Sequence, residues 1–257
     1  MSSAHSTDLL PEHIHHLRNG AFVRERTAPN HSDYYYLHLS DLLLAVRAHA
    51  SDREMVMLDF GAGGSPYRSL FPKADYRTAD FAGATYEINA DGRTNAPDGT
   101  FDLVLSTQVL EHCRSPQRYL EEVQRVLKPG GRLLLSTHGL FEEHGCPDDY
   151  FRWTANGLKA VLEQNGFEVC SVVRVTVGPR AAFHLLQSAL SMQLLEKKPL
   201  WLRLLARPLF RLLLARRFWN GFLDGLFPEY RVVSDAQLPF NNTFVTVLVD
   251  ASVKQAI

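Results

Sequence analysis

From residue 55 to residue 177, apolar residues fall in short unbroken runs separated by helix-spaced patterns. Met55–Val56–Met57–Leu58 continues through Asp59 and Phe60 into Gly61–Ala62–Gly63–Gly64–Ser65. A strand buried on both faces reads as such a run, and the glycines predict a tight turn straight after it. Asp75–Asp80 and Tyr86–Gly92 read as the next two strands, the first ending in Asp80 and the second running into Asp91. Phe101–Thr107, Arg132–Thr137 and Val169–Val177 read as the fourth, fifth and sixth, and 242–249 as the last.

Helical spacing fills the gaps. Asp33–Ala50 offers Tyr34, Tyr35, Leu37, Leu42, Leu43 and Val46 to an apolar face, with Ser32 or Asp33 as the cap. A short helix is expected near Tyr67–Phe71. Ser115 and Pro116 read as N-cap and first residue of a helix that carries Tyr119, Leu120, Val123, Val126 and Leu127 and stops at Lys128–Pro129–Gly130–Gly131. Another is capped by Thr154 and runs through Leu158, Val161 and Leu162 to Gly166. This alternation predicts an α/β fold with a doubly wound, seven-stranded, mostly parallel sheet. The expected division is a tail and capping helix over 1–54, a core over 55–177, a helical insertion over 178–241, and a last core strand and tail over 242–257.

Ligands of open α/β sheets bind at the carboxyl ends of the strands, so the Gly61–Gly64 turn is the expected cofactor site. The dinucleotide fingerprint needs a third glycine where Pro66 stands, which disfavours a nicotinamide oxidoreductase, and the phosphate-loop pattern with its Lys-Ser/Thr is absent. Asp80, about twenty residues after the turn, sits where a carboxylate accepts hydrogen bonds from both hydroxyls of a ribose. Asp91 is placed to accept from an adenine amino group.

The motif D-F-G-A-G-G-S resembles the first motif of class I S-adenosylmethionine (SAM) methyltransferases, with Ser65 at the third glycine slot. FDLVLSTQVLEH followed by LEEVQRVLKPGGRLLLST resembles the ubiquinone/menaquinone-type branch of that family. GAGGSPYRSLF and HGCPDDYFRWTANGLKAVLEQNGF look like methyltransferases associated with cell-surface polysaccharide and glycan biosynthesis. The resemblance covers about half of the chain. It implies SAM as cofactor, held by Asp59, Gly61, Ala62, Gly63, Asp80, Phe81, Asp91, Gly92, Thr107 and Gln108. It also implies a helix over the cofactor, from which Tyr34 or Tyr35 faces the cationic sulfonium unless both simply pack.

Methyl transfer to an alcohol needs a base. The segment Thr137–Trp153 holds His138, Glu142, Glu143, His144, Asp148, Asp149 and Tyr150, with Arg152 able to hold an anion or to pair with Asp148 or Asp149. His144 is the expected base, with His138 or Asp149 as orienter or substitute, while His112 is expected to be structural. His138, His144, Cys146 and Asp148 are ligand types whose spacing matches no metal site, and no metal is expected. His13, His15 and His16 are expected in a solvated tail.

Composition adds exclusions. The formal net charge of −1 gives no general attraction to nucleic acid, and none is expected as a partner. Three separated cysteines fit a reducing compartment. The N-terminus lacks the apolar core of a secretory signal, and no uncharged apolar run reaches about 18 residues, so a cytoplasmic location is expected. Phe183–Leu195 reads as an apolar helix of the insertion. In 197–219, Arg203, Arg207 and Arg211 are spaced to form one stripe among Leu, Trp and Phe, and Pro208 kinks the helix or starts a new one. That segment reads as a substrate lid, a homodimer contact, or a peripheral contact with an anionic membrane face. The expected activity is O-methylation of a hydroxyl-bearing acceptor such as a sugar or a lipid-linked glycan. C-methylation of a quinone-like molecule, or a non-catalytic scaffold of the same fold, are the alternatives.

Overall fold

A computed structural model describes residues 20–89, 91–145, 148–234, 237 and 243–254. His13, His15, His16, Cys146 and Asn242 lie outside the described residues. Two helices precede the sheet, α1 (Gly20–Thr27) and α2 (Tyr36–Arg47). The sheet is built from β1 (Met55–Phe60), β2 (Ala74–Asp80), β3 (Tyr86–Glu87), β4 (Phe101–Thr107), β5 (Leu127–His138), β6 (Phe167–Val177), β7 (Val232–Ser234) and β8 (Phe244–Val253). Its order is β3-β2-β1-β4-β5-β8-β6-β7. Strands β1 to β5 pair in parallel, and β8 runs antiparallel between β5 and β6. The order reverses between β1 and β4, which makes the carboxyl ends of those two strands the natural crevice.

The unbroken apolar runs are explained by burial on both faces. Leu58 and Val104 point to one layer, where α3 (Pro116–Val126) and α4 (Ala155–Gln164) supply Leu120, Val123, Leu158 and Leu162. Met57, Leu103 and Leu105 point to the other, against Leu42, Leu43 and Val46 of α2. The Thr154 hydroxyl accepts from Gly157 N at 3.1 Å, so it caps α4 as its position predicts.

Several expectations are corrected. The sheet has eight strands, because β7 adds an antiparallel edge to β6. The third strand stops at Glu87: Asn89 Oδ1 accepts from Asp91 N and Arg93 N, each at 3.0 Å, and wraps the chain into a turn around Asp91. β5 starts at Leu127, which pairs with Phe101, so the Lys128–Gly131 segment belongs to a bulged strand. Neither Ser32 nor Asp33 caps α2; Asp33 is held by two bonds of 2.9 Å from Arg24 on α1, a helix the polar sequence did not suggest. Ser115 makes no side-chain cap.

The insertion contains α5 (Gly178–Ala189), α6 (Leu200–Leu213) and α7 (Arg216–Leu226), and Pro208 lies inside α6. It is pinned to α2 by a buried ion network. Arg180, fully buried, donates to both oxygens of Asp41 (2.8 and 2.9 Å) and to Asp224 Oδ1 at 2.8 Å. Arg231 adds a 2.7 Å bond to Asp41, and Tyr36 donates its hydroxyl to Asp224. Removing one partner of such a pair strands the other charge in the interior. Arg180→Met is therefore expected to destabilise the fold by about 3–5 kcal/mol in urea unfolding; a loss below about 1 kcal/mol would contradict the pinning role.

Candidate active site

The turn after β1 is shaped by its neighbours. Gly61 has φ +73°, and a Cβ there would lie 2.4 Å from Val109 Cγ2, so any side chain would force apart the β1 turn and the loop after β4. Gly61 N and Ala62 N both donate to Ala79 O, tying the turn to β2. Gly63 N donates to Asp80 Oδ2 and Phe81 N to Asp80 Oδ1, each at 2.8 Å. The Asp80 carboxylate is thus fixed at the end of β2, at the edge of the turn.

Asp59 lies deeper. It is buried and accepts the Tyr76 hydroxyl at 2.5 Å; burial pushes its pKa up to about 7, against the opposite pull of that bond. Asp91 and Gly92 stand on the outer turn, where the Asp91 side chain is 74% exposed and lies 3.6 Å from Arg118. Tyr34 is turned onto the insertion: its hydroxyl donates to Ser188 O and the Arg216 guanidinium sits 4.5 Å above its ring. That cation covers one face of the Tyr34 ring.

The other half of the site begins where β4 ends, at Thr107 and Gln108. Gln108, at φ +59°, donates its N–H to Ser136 O and so bridges to β5. Its side chain bonds His38 Nε2 at 3.1 Å and donates to Thr246 Oγ1 at 3.3 Å. Thr246 in turn reaches His138 Nδ1 at 3.3 Å. His38 comes from α2, His138 from β5, and His184 from α5, and all three rings surround Phe141. Tyr35 closes this aromatic wall against Phe141 and donates to Glu142 at 2.7 Å.

Burial keeps these imidazoles neutral. It pushes His38 down to about 3, with His184 adding to the effect, and His184 down to about 4. His138 is pushed well below its ordinary value by burial and then by His38 and His144. Glu111, on the 3-10 turn Leu110–His112, is raised to about 7 by burial.

His144 lies at the mouth, with its side chain 31% exposed. Its N–H donates to Asp149 Oδ2 at 3.0 Å, and its Nδ1 is 3.2 Å from the same oxygen. Arg152 pairs with Asp149. Burial pushes Asp149 up, but the bonds from Arg152 and His144 outweigh it and hold the carboxyl below its ordinary range. His112 Nδ1 lies 2.6 Å from Asp148 O, and the Asp148 carboxylate accepts from Tyr150. The structure therefore brings His138, His144 and Asp149 together beside Gln108, and leaves Asp91, Gly92 and Tyr34 outside that cluster.

Glu111, His38, His184 and Thr246 were not singled out by sequence reasoning. A signal existed for two of them. His38 shares the buried stripe of α2 with Leu42 and Val46, and His184 that of α5 with Arg180, Ala181 and Gln187. A polar side chain on a buried helix face needs a partner.

Residues 58–135 match the family model described as a methyltransferase domain. The malonyl-[acyl-carrier protein] O-methyltransferase of Methylococcus capsulatus is 30% identical over 120 residues, 39% of this chain and 44% of that protein. The ubiquinone biosynthesis O-methyltransferase of Pectobacterium atrosepticum is 30% identical over 95 residues, 37% of this chain and 38% of that protein. The chain thus spans less than half the length of these two curated relatives. In structure it is similar to a SAM-dependent methyltransferase of Thermotoga maritima, with a TM-score of 0.51 at 17% identity over 90% of this chain and 99% of that one. It is also similar to the [4+2]-cyclase SpnF, with a TM-score of 0.50 at 17% identity over 86% and 83%. At these identities the structural likeness concerns the fold alone. Residues 58–135 thus match a methyltransferase domain, and the fold that carries them is similar to that of a SAM-dependent methyltransferase.

Proposed function

We propose that this protein transfers a methyl group from SAM to a hydroxyl of a sugar or lipid-linked glycan, with His144 as the base. The observation that carries the reading is the His144–Asp149–Arg152 relay at the mouth of a histidine and aromatic wall, joined through Gln108 to the strand beside the glycine turn. The turn fits the cofactor: Gly61 has no room for a side chain, and the Asp80 carboxylate is fixed where a vicinal diol presents two donors. Bound SAM supplies an electrophilic methyl on a sulfonium whose leaving group is a neutral thioether. The chain's own residues then have to orient the acceptor and take its proton. Asp149 sets the His144 ring by its contact with Nδ1, which leaves Nε2 as the proton acceptor. Arg152 keeps Asp149 ionised. The neutral wall of His38, His138 and His184 excludes water without adding charge.

The insertion supports a lipid-linked acceptor. α6 has no buried residue, and Leu200, Trp201 and Leu205 on it are 67%, 64% and 71% exposed. Phe218, Phe222 and Leu226 continue the exposed apolar surface along α7. From Lys197 to Leu223 the sequence carries Lys and Arg but no acid. No helix among the described residues is long and apolar enough to cross a membrane. Apolar exposure framed by cations suits the surface of an anionic bilayer, where each nearby basic residue contributes about 1 kcal/mol.

Four outcomes are expected. S-adenosylhomocysteine raises the melting temperature of the wild type, and Asp80→Ala loses most of that rise; an equal rise in the variant would remove Asp80 from the cofactor site. With SAM and a panel of sugars, nucleotide sugars and lipid-linked glycans, mass spectrometry finds O-methyl product, and His144→Asn lowers turnover by roughly 10²–10⁴ while the melting shift persists. A product methylated on carbon, or full activity in that variant, would contradict the base. The protein cosediments with phosphatidylglycerol vesicles and not with phosphatidylcholine vesicles, and salt releases it; indifference to both would favour a lid or a dimer contact. Finally, His184 titrates near 6.5 when unfolded and near 4 when folded, so the unfolded state takes up its proton first as pH falls. Between about pH 6.5 and 4 the wild type therefore loses up to roughly 3 kcal/mol relative to His184→Gln in urea unfolding. A constant difference across that window would show that the ring is not held neutral.

A further inference from the structure

Glu111, His138 and His144 come from three separate segments and converge on the wall of this site. One ligand atom of each lies within 4.8 Å of the other two. Glu111 Oε1 and His138 Nε2 are 3.3 Å apart. A tetrahedral zinc ion with bonds of about 2.0–2.1 Å separates its ligands by about 3.3 Å, so this edge already has the right length. Glu111 is fully buried, yet its Oε1 has no hydrogen-bond partner. A buried acceptor left in that state is costly unless something binds it.

The other atoms of the three side chains are held from behind. Glu111 Oε2 accepts the Thr137 hydroxyl at 2.8 Å. His144 Nδ1 faces Asp149 Oδ2, which leaves Nε2 as its open nitrogen. For His138 the surrounding bonds assign the tautomer. His38 Nε2 donates to Gln108 Oε1, so His38 Nδ1 is an acceptor and takes the Thr246 proton across 3.5 Å. Thr246 Oγ1 is then free to accept from His138 Nδ1, and the lone pair of His138 Nε2 points toward Glu111. Metal-binding histidines and carboxylates are oriented by outer partners of this kind.

We infer that Glu111 Oε1, His138 Nε2 and His144 Nε2 form a binding site for a first-row divalent cation of the zinc type. Two imidazoles and one carboxylate make a three-ligand set that leaves a coordination position for water or substrate. Magnesium and calcium prefer all-oxygen shells and fit the set poorly. The ligands differ from those the sequence spacing weighed, since Glu111 stands where Cys146 and Asp148 were considered. The role of the ion rests on the proposed function: an ion here would occupy the His144 Nε2 lone pair, so only the metal-free chain offers His144 as the base, and metal binding would regulate that site. Binding itself does not rest on that reading.

The test uses the full chain stripped with a chelator and titrated with Zn²⁺ by calorimetry and with Co²⁺ by visible absorption. One ion per chain is expected, with a tetrahedral or five-coordinate cobalt spectrum. Glu111→Gln and His144→Gln should each weaken affinity at least tenfold, while His184→Gln should leave it unchanged. His144 is partly exposed, so its variant stays informative if the Glu111 variant fails to fold. No saturable binding by the folded wild type would overturn the inference. So would binding that both substitutions leave intact, which would assign the ion to other histidines. Titration of the stripped protein with S-adenosylhomocysteine separates the two readings. Cofactor binding without metal binding defeats the metal site alone, and metal binding without cofactor binding defeats the methyltransferase reading alone.

Discussion

The side chain of Val109 leaves no room for a Cβ on Gly61. This contact sets how closely the turn after β1 approaches the loop after β4, at the point where the order of the parallel strands reverses. Everything the site needs is placed from there. Asp80 reaches the turn from β2, Gln108 leaves β4 with positive φ, and its backbone ties it to Ser136 on β5. A larger residue at position 61 would separate the two halves of the crevice before it touched any ligand.

The second half depends on burial. Four segments far apart in the chain bring His38, His138, His184 and Glu111 into one low-dielectric wall, and desolvation is the leading cause of every pKa shift there. A wall of neutral imidazoles suits an uncharged acceptor and gives transition metals nitrogen ligands without protons to displace. The ionised pair of Asp149 and Arg152 stays at the rim, where it orients His144 without charging the interior. The buried Asp41–Arg180–Asp224 network carries this arrangement into the insertion, so α2 and α5 present their histidines at fixed positions.

Much of the core was legible because its signals are local. The β1 run, the glycine turn, Asp80, the β4 run and the Thr154 cap each sit within a few residues of sequence and appear where their patterns put them. The third strand was overread because Asn89, a side chain that bonds its own backbone, outcompetes strand pairing. α1 was missed because it carries no apolar stripe, and the bonds from its Arg24 to Asp33 link residues nine apart. Tyr34 could not be oriented from sequence, since its ring direction is set by Arg216, far along the chain. Glu111 lies inside the Leu110–His112 stretch with no local signal of its own, and its burial against His138 appears only when β5 and the 3-10 turn are assembled. The apolar spacing of 200–212 was clear, but its exposure appears only in the fold, where the described residues leave none of α6 buried.

In the proposed reading the crevice at the β1 and β4 carboxyl ends holds an adenosyl sulfonium cofactor next to the histidine wall. Calorimetric titration of the wild-type chain with SAM and S-adenosylhomocysteine, with NADH as control, tests it most directly. One site per chain is expected, with roughly micromolar or tighter affinity for both adenosyl ligands and none for NADH. A folded protein that binds neither, or that binds NADH instead, would contradict it.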